Sequence, residues 1–207
     1  MRIKSAFKKY IDHQYEKPSG VIGSFIGEKM VKQHIPETYW TAELLALKKD
    51  ETILEIGCGA GKAIKLLLKD DSVRHIDGLD FSKTVLKSAR LRNRSEIKKK
   101  RASFVHGKAN SLPFQDRQFS RIFSIHSLYF WDSIPDCAME MHRVLKDNGM
   151  IVLTLSNGKD GEEWSNINSL VLDKLIPALR ETGFKKIEVI KGPNSRQYHI
   201  AAIRAHK

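Results

Sequence analysis

Cysteine is nearly missing from the sequence: Cys58 and Cys137 are the two in 207 residues, far apart and without a histidine at a zinc-like interval. A disulfide framework is thereby excluded, no metal site is expected, and a reducing cytoplasm is the expected compartment. Long hydrophobic runs are missing too. The most apolar early stretch, GVIGSFIG at residues 20–27, is short, broken by glycine and without a signal-peptidase site, so neither a membrane span nor a leader is expected. Acid is in deficit, with 24 Asp and Glu against 36 Lys and Arg, a formal charge of +12. That excess leaves nucleic acid, an acidic membrane surface or a merely basic pI open. What is present is enough apolar material, 41% of residues, for the core of one ordinary domain.

Along the chain, residues 1–38 read as a helical appendage and 39–207 as a ligand-binding domain. Near the junction Pro36 opens a helix, with Trp40, Leu44, Leu45 and Leu47 at helical spacing. Strands are expected at 52–56, 75–80, 102–106, 121–125, 150–155, 186–190 and 198–204, and helices at 62–69, 82–94, 136–145 and 169–181, the last closed by Gly183 in a left-handed cap. Strand alternating with helix implies a mostly parallel, doubly wound α/β sheet covered on both faces, its last two strands forming an antiparallel pair at one edge.

Residues 54–64 read LEIGCGAGKAI, with Gly57, Gly59 and Gly61 directly after the first strand. In such a sheet ligands bind beyond the carboxyl ends of the strands. Glycine there admits positive φ and lets a ligand lie against the main chain at the start of a helix. The second strand ends in Asp80, about twenty residues on, where an acid can accept both hydroxyls of a ribose. Asp80 or Ser82 could equally cap the following helix.

Residues 55–61, Glu-Ile-Gly-Cys-Gly-Ala-Gly, resemble the first motif of the class I S-adenosylmethionine-dependent methyltransferases. Gly78-Leu79-Asp80-Phe81-Ser82, Leu112-Pro113-Phe114 with Phe119, and the stretch from His142 to Gly149 follow in the family's order, a likeness spanning residues 41–205. The resemblance implies a Rossmann-like, seven-stranded fold and S-adenosylmethionine as donor, with S-adenosylhomocysteine as product. It also implies roles. Gly57, Cys58, Gly59 and Gly61 would line the methionine moiety, Glu55 would hold its amino group, and Asp80 would bind the ribose. Phe81 would pack on the adenine, with the Ala109 backbone and Asn110 serving its nitrogens and Ser124 nearby. Two departures stand out: Lys108 where many relatives have an acid near the adenine amino group, and Ser120 where relatives often have an acid at the start of the fourth strand.

The fourth strand leads into FSIHSLYFWD, which places His126 and Tyr129 as candidate catalytic groups and Trp131 as a pocket wall. His126 is the candidate base or acceptor-positioning group, with a structural histidine as the alternative. In the appendage Tyr15, Phe25 and Met30, and on the loop at 156–166 Trp164, would face a small-molecule acceptor if these pieces form a lid. A flexible tail and a membrane-contacting amphipathic segment are the alternatives for the appendage. The densest basic run, ARLRNRSEIKKKR at 89–101, lacks interleaved aromatics and reads as a solvated helix end remote from the chemistry, so nucleic acid is not favoured as a partner. An RNA or protein methyltransferase, a non-catalytic nucleoside-binding protein and, most distantly, a dinucleotide oxidoreductase remain open.

Overall fold

The first strand, β1 (Glu51–Ile56), is buried at every position, as a parallel strand covered on both faces must be. It belongs to a computed structural model in which residues 34–207 are described. Tyr15, Phe25, Met30 and nearly all of the expected appendage lie outside the described residues. The first described helix, α1 (Ile35–Leu44), begins with Pro36 in its first turn, a position that needs no N–H donor, and runs through the expected domain boundary at 38.

Then follow β1, α2 (Lys62–Leu67), β2 (Val73–Asp80), α3 (Lys83–Arg92), α4 (Arg94–Lys98), β3 (Ala102–His106), β4 (Phe119–Ile125), a 3₁₀ turn (Leu128–Phe130), α5 (Ile134–Val144), β5 (Leu145–Lys159), β6 (Glu162–Glu163), α6 (Ser165–Ser169), a π-helical segment (Leu170–Leu175), α7 (Ile176–Glu181), β7 (Lys185–Lys191) and β8 (Tyr198–His206). The strand order is β3-β2-β1-β4-β5-β8-β7, with the short β6 paired to β5. The β1–β2, β1–β4, β2–β3 and β4–β5 pairs are parallel, and β8 runs antiparallel to both β5 and β7. The expected edge pair is therefore present, with β8 inserted between β5 and β7. The chain runs outward from β1 through β2 to β3 and then crosses back to β4 on the other side of β1, which opens a crevice at the carboxyl ends of these strands.

Side chains alternate between two apolar layers. Leu54, Ile56, Ile122, Ile151 and Leu153 pack with Met141, Leu175 and Leu179 on one face. Ile53, Ile76, Phe123 and Val152 pack with Leu45, Ile64, Leu86 and Ala89 on the other. Ser82 and Ser133 cap α3 and α5 by accepting from the N–H groups of Val85 and Asp136. Among the described residues no helix is long and apolar enough to cross a membrane.

Three local expectations change. The loop at 156–166 is largely a hairpin, because β5 continues to Lys159, turns at Asp160 (φ +53) and Gly161 (φ +88), and returns as β6; an Asp-Gly pair with positive φ at both positions is the two-residue turn that fits strand twist. The last long helix starts at Ser165 and contains a π segment just before Pro177, whose missing N–H interrupts the regular ladder. The helix expected at 82–94 breaks at Asn93, whose side-chain amide donates to the carbonyls of Gly61 and Ala89 instead of facing solvent.

At the opposite end of the sheet from the crevice, Arg121 donates from Nε to the Leu45 carbonyl and sits 3.0 Å from the Glu51 carboxylate, both side chains being buried. Arg121→Ala leaves that carboxylate buried without a counter-charge, with only the Lys48 N–H donating to it, so unfolding free energy measured by urea titration should fall by about 3 kcal/mol. A change under 1 kcal/mol would show that water or Lys146 replaces the guanidinium.

Candidate functional site

All three glycines after β1 have left-handed backbone, with φ +78 at Gly57, +50 at Gly59 and +70 at Gly61, a region that costs other residues roughly 1–2 kcal/mol. Their surroundings differ. A Cβ at Gly57 would lie 2.3 Å from Ser127 Cβ at the tip of β4, and one at Gly61 would meet Asn93, Ala89 and Phe104. A Cβ at Gly59 would meet nothing within 4 Å. The outer glycines are thus close-packing positions, and the central one faces open space at the mouth of the crevice.

Asp80, at the end of β2, braces this turn. Its Oδ2 accepts from the Gly59 N–H at 2.9 Å and its Oδ1 from the Ser82 N–H at 2.8 Å, so it holds turn and helix start together while Ser82 caps α3. Of the alternatives for these residues, the helix cap is present, and Ser82 supplies it. Burial raises the Asp80 carboxyl above its ordinary pKa, against the pull of those hydrogen bonds. Glu55 is buried beneath the turn. Burial, and then the neighbouring Asp80, push its carboxyl well above the usual range, and its Oε2 has no hydrogen-bond partner among the described residues. Cys58 is also buried, and its thiol is pushed up by burial and by Asp80 and Glu55, which keeps it protonated. A buried carboxyl oxygen without a donor beside an open glycine suits a cationic ligand group.

Further along the crevice Phe81 and Asn110 are half-buried and Ala109 is buried. Lys108 turns outward to a 2.7 Å ion pair with Asp132, both side chains being exposed. Ser120 lies away from the site: its hydroxyl exchanges hydrogen bonds with the main chain of Thr52 and stitches β1 to β4.

At the tip of β4, Ser127 donates to the Ile56 carbonyl and accepts from Trp131 Nε1, while Ser124 bonds the same hydroxyl. Because Ser127 has one proton, Ser124 is the donor of that last bond. Tyr129 donates to the Ser156 carbonyl (2.9 Å) and accepts from its N–H (2.6 Å), and burial raises its phenol far above the ordinary value. Its hydroxyl is therefore fixed to β5. Trp164 packs edge-on against Tyr198, with ring centroids 6.0 Å apart.

His126 is held in left-handed backbone (φ +55), its N–H bonded to the Thr154 carbonyl. Its side chain is 9% exposed, with Nε2 4.0 Å from Glu37 Oε1. Burial, and then the neighbouring His34, depress its pKa to about 3, so the imidazole is neutral at physiological pH. Burial disfavours the Glu37 carboxylate, but the neighbouring His34 and the Arg196 hydrogen bond outweigh it and hold the pKa at about 2. Arg196 Nη2 lies 2.8 Å from Glu37 Oε1.

His34, Glu37, Asn93 and Arg196 were not among the sequence candidates for the site, whereas Ser127 stands in the FSIHSLYFWD stretch expected around it. The basic run also behaves differently from expectation at its start. Arg92 and Asn93 bond the carbonyls of Ala60 and Gly61 and buttress the glycine turn from behind, and Arg90 bonds the Phe104 carbonyl.

Residues 54–153 match a family model described as a methyltransferase domain. A 2-phytyl-1,4-naphthoquinone methyltransferase of Nostoc sp. (strain PCC 7120) is 28% identical over 155 residues, covering 74% of this chain and 68% of that protein. A demethylmenaquinone methyltransferase of Listeria welshimeri is 26% identical over 177 residues, covering 85% and 71%. Among solved structures, Haemonchus contortus phosphoethanolamine N-methyltransferase 2 in complex with S-adenosylmethionine superposes with TM-score 0.67 at 17% identity, over 84% of this chain and 52% of that one. The [4+2]-cyclase SpnF superposes with TM-score 0.69 at 19% identity, over 83% and 80%.

The unequal glycine surroundings predict unequal costs. Gly57→Ala, which drives a methyl group into Ser127 as well as forcing positive φ, should lower unfolding free energy by about 3 kcal/mol. Gly59→Ala should lose only the backbone term, about 1 kcal/mol. Urea titrations showing equal losses would contradict this division.

Proposed function

We propose that this chain, an S-adenosylmethionine-dependent methyltransferase with its methyltransferase domain at residues 54–153, methylates a small, partly apolar acceptor at the carboxyl ends of β1 and β4. The observation that carries the reading is the turn itself: Gly59 open to the crevice, pinned by Asp80, above a buried Glu55 oxygen that has no donor. A sulfonium donor with a free amino group and a ribose fits that set. Glu55 Oε2 would receive the ammonium. Asp80 would use the remaining lone pairs of its two oxygens for ribose hydroxyls. Phe81 would stack on the base, and Ala109 and Asn110 would serve its nitrogens. The Lys108 charge is already met by Asp132, so the departure from the usual acid need not oppose binding.

Bound there, the donor supplies an activated methyl group; the protein's task is to align the acceptor and exclude water. Orientation of this kind contributes roughly 7–11 kcal/mol to lowering a barrier. A neutral His126 of low basicity suits positioning of the acceptor better than removal of a proton from it. Trp131 would wall the acceptor side, with Trp164 joining from the β5–β6 hairpin. The relatives named for naphthoquinone substrates support an aromatic ring acceptor. Two buried, unpaired thiols suit a reducing cytoplasm. Engagement of Arg90 and Arg92 by backbone carbonyls weighs against an RNA acceptor.

Labelled methyl transfer to a reduced, unmethylated naphthoquinone should proceed, little affected between 50 and about 200 mM salt, with total RNA and protein unlabelled. Labelled RNA with a steep salt dependence would overturn the small-molecule assignment. The raised Glu55 pKa gives a second outcome. Because burial favours its protonated form in the free protein and an ammonium favours the carboxylate, donor binding should release a proton, and affinity should fall as pH falls through the raised pKa. Glu55→Gln should bind about tenfold or more weakly and lose that pH dependence. Proton release is read by calorimetry in buffers of different ionisation enthalpy; an unchanged pH profile in the variant would remove Glu55 from the site.

A further inference from the structure

We propose that His34, Glu37 and His126 form a binding site for a divalent transition metal ion of the zinc class, between α1 and the tip of β4. One ligand atom from each of these side chains lies within 4.8 Å of the others, and two imidazoles with one carboxylate are a donor set suited to such an ion.

The hydrogen-bond inventory shows why a cation belongs there. Tyr129 gives its single hydroxyl proton to the Ser156 carbonyl, so toward His126 Nδ1, 3.4 Å away, it can only accept. The proton of the neutral imidazole is therefore on Nδ1, and Nε2 presents a bare lone pair to the Glu37 carboxylate, 4.0 Å from Oε1. Two acceptors thus face each other across 4.0 Å, with Arg196 donating to the Glu37 oxygen beside them. Nε2 of His126 and Oε2 of Glu37 are both buried without a hydrogen-bond partner among the described residues, and each such unmet group is costly. Arg196 Nη2 lies 2.8 Å from Glu37 Oε1 and 3.5 Å from His34 Nδ1, so its partly exposed side chain must swing outward for an ion to reach both atoms, whereas Glu37 Oε2 has no partner to give up.

The remaining features suit ligation. The Tyr129 contact fixes the His126 tautomer and ring orientation, the role that a partner on the second nitrogen plays for a metal-bound imidazole. The left-handed backbone at His126 is strain of the kind that accompanies ligand clamps. His34, one helical turn from Glu37 and 27% exposed, offers a route in from solvent. An ion there would tie α1 to β4, whatever acceptor the enzyme uses. The sequence supports no such site because His126 comes from a distant strand end.

The test uses the full chain without a histidine tag, stripped with a chelator and then titrated with zinc chloride against a chromophoric competitor, with cobalt(II) as a spectroscopic probe. The expected result is one ion per chain, a visible cobalt absorption band of low coordination number, and a rise in melting temperature with zinc. Glu37→Gln, His126→Ala and the more exposed His34→Ala should each weaken binding at least about tenfold. His34→Ala keeps the test valid if a core variant fails to fold. Absence of stoichiometric binding by the unaltered chain, or binding unchanged in the folded variants, would overturn the proposal.

Discussion

The Asp80 carboxylate is the constraint on which the rest of the site depends. One oxygen holds the Gly59 N–H and the other the Ser82 N–H, so the end of β2 fixes the turn after β1 and the start of α3 at once. Glycine favours that turn, because the backbone is left-handed at three positions and the β4 tip approaches Gly57 to side-chain contact. Arg92 and Asn93 secure the turn from its outer side. The ends of three strands and a helix share the hydrogen bonds around the turn.

Much of this was legible in the sequence, for identifiable reasons. A parallel sheet buried on both faces leaves continuous apolar runs, and 102–106 was readable to the residue as β3. The Leu112-Pro113-Phe114 and His142-to-Gly149 stretches occur together for a physical reason: Arg143 on α5 donates to the carbonyls of Leu112 and Phe114 and pairs with Asp116. What stayed hidden depends on tertiary contact. Asn93 looks like a helix residue in a charged run until its amide is seen against Gly61. Glu37 looks like a first-turn acid of α1 until Arg196 and His126 converge on it. The hairpin at Asp160-Gly161 was marked in the sequence by its turn dipeptide, a signal submerged in a polar stretch that resembles a loop.

Charge shows the same division. The excess of cations suggests a polyanionic partner when counted, yet several of the basic side chains serve as internal donors. Arg90 and Arg92 close carbonyls around α3, Arg101 bonds Val73, and Lys207 bonds the carbonyls at the end of α5. The fold itself does not decide the reaction, since a cyclase shares it. The proposed reading of the site rests instead on a buried acid without a donor beside a glycine open to the crevice.

The most direct measurement is calorimetric titration of the purified chain with S-adenosylmethionine and S-adenosylhomocysteine, with NAD as control. The account predicts saturable one-to-one binding of the first two, and none of NAD. Failure of both to bind, or equal binding of NAD, would contradict the assignment of the braced glycine turn as the donor site.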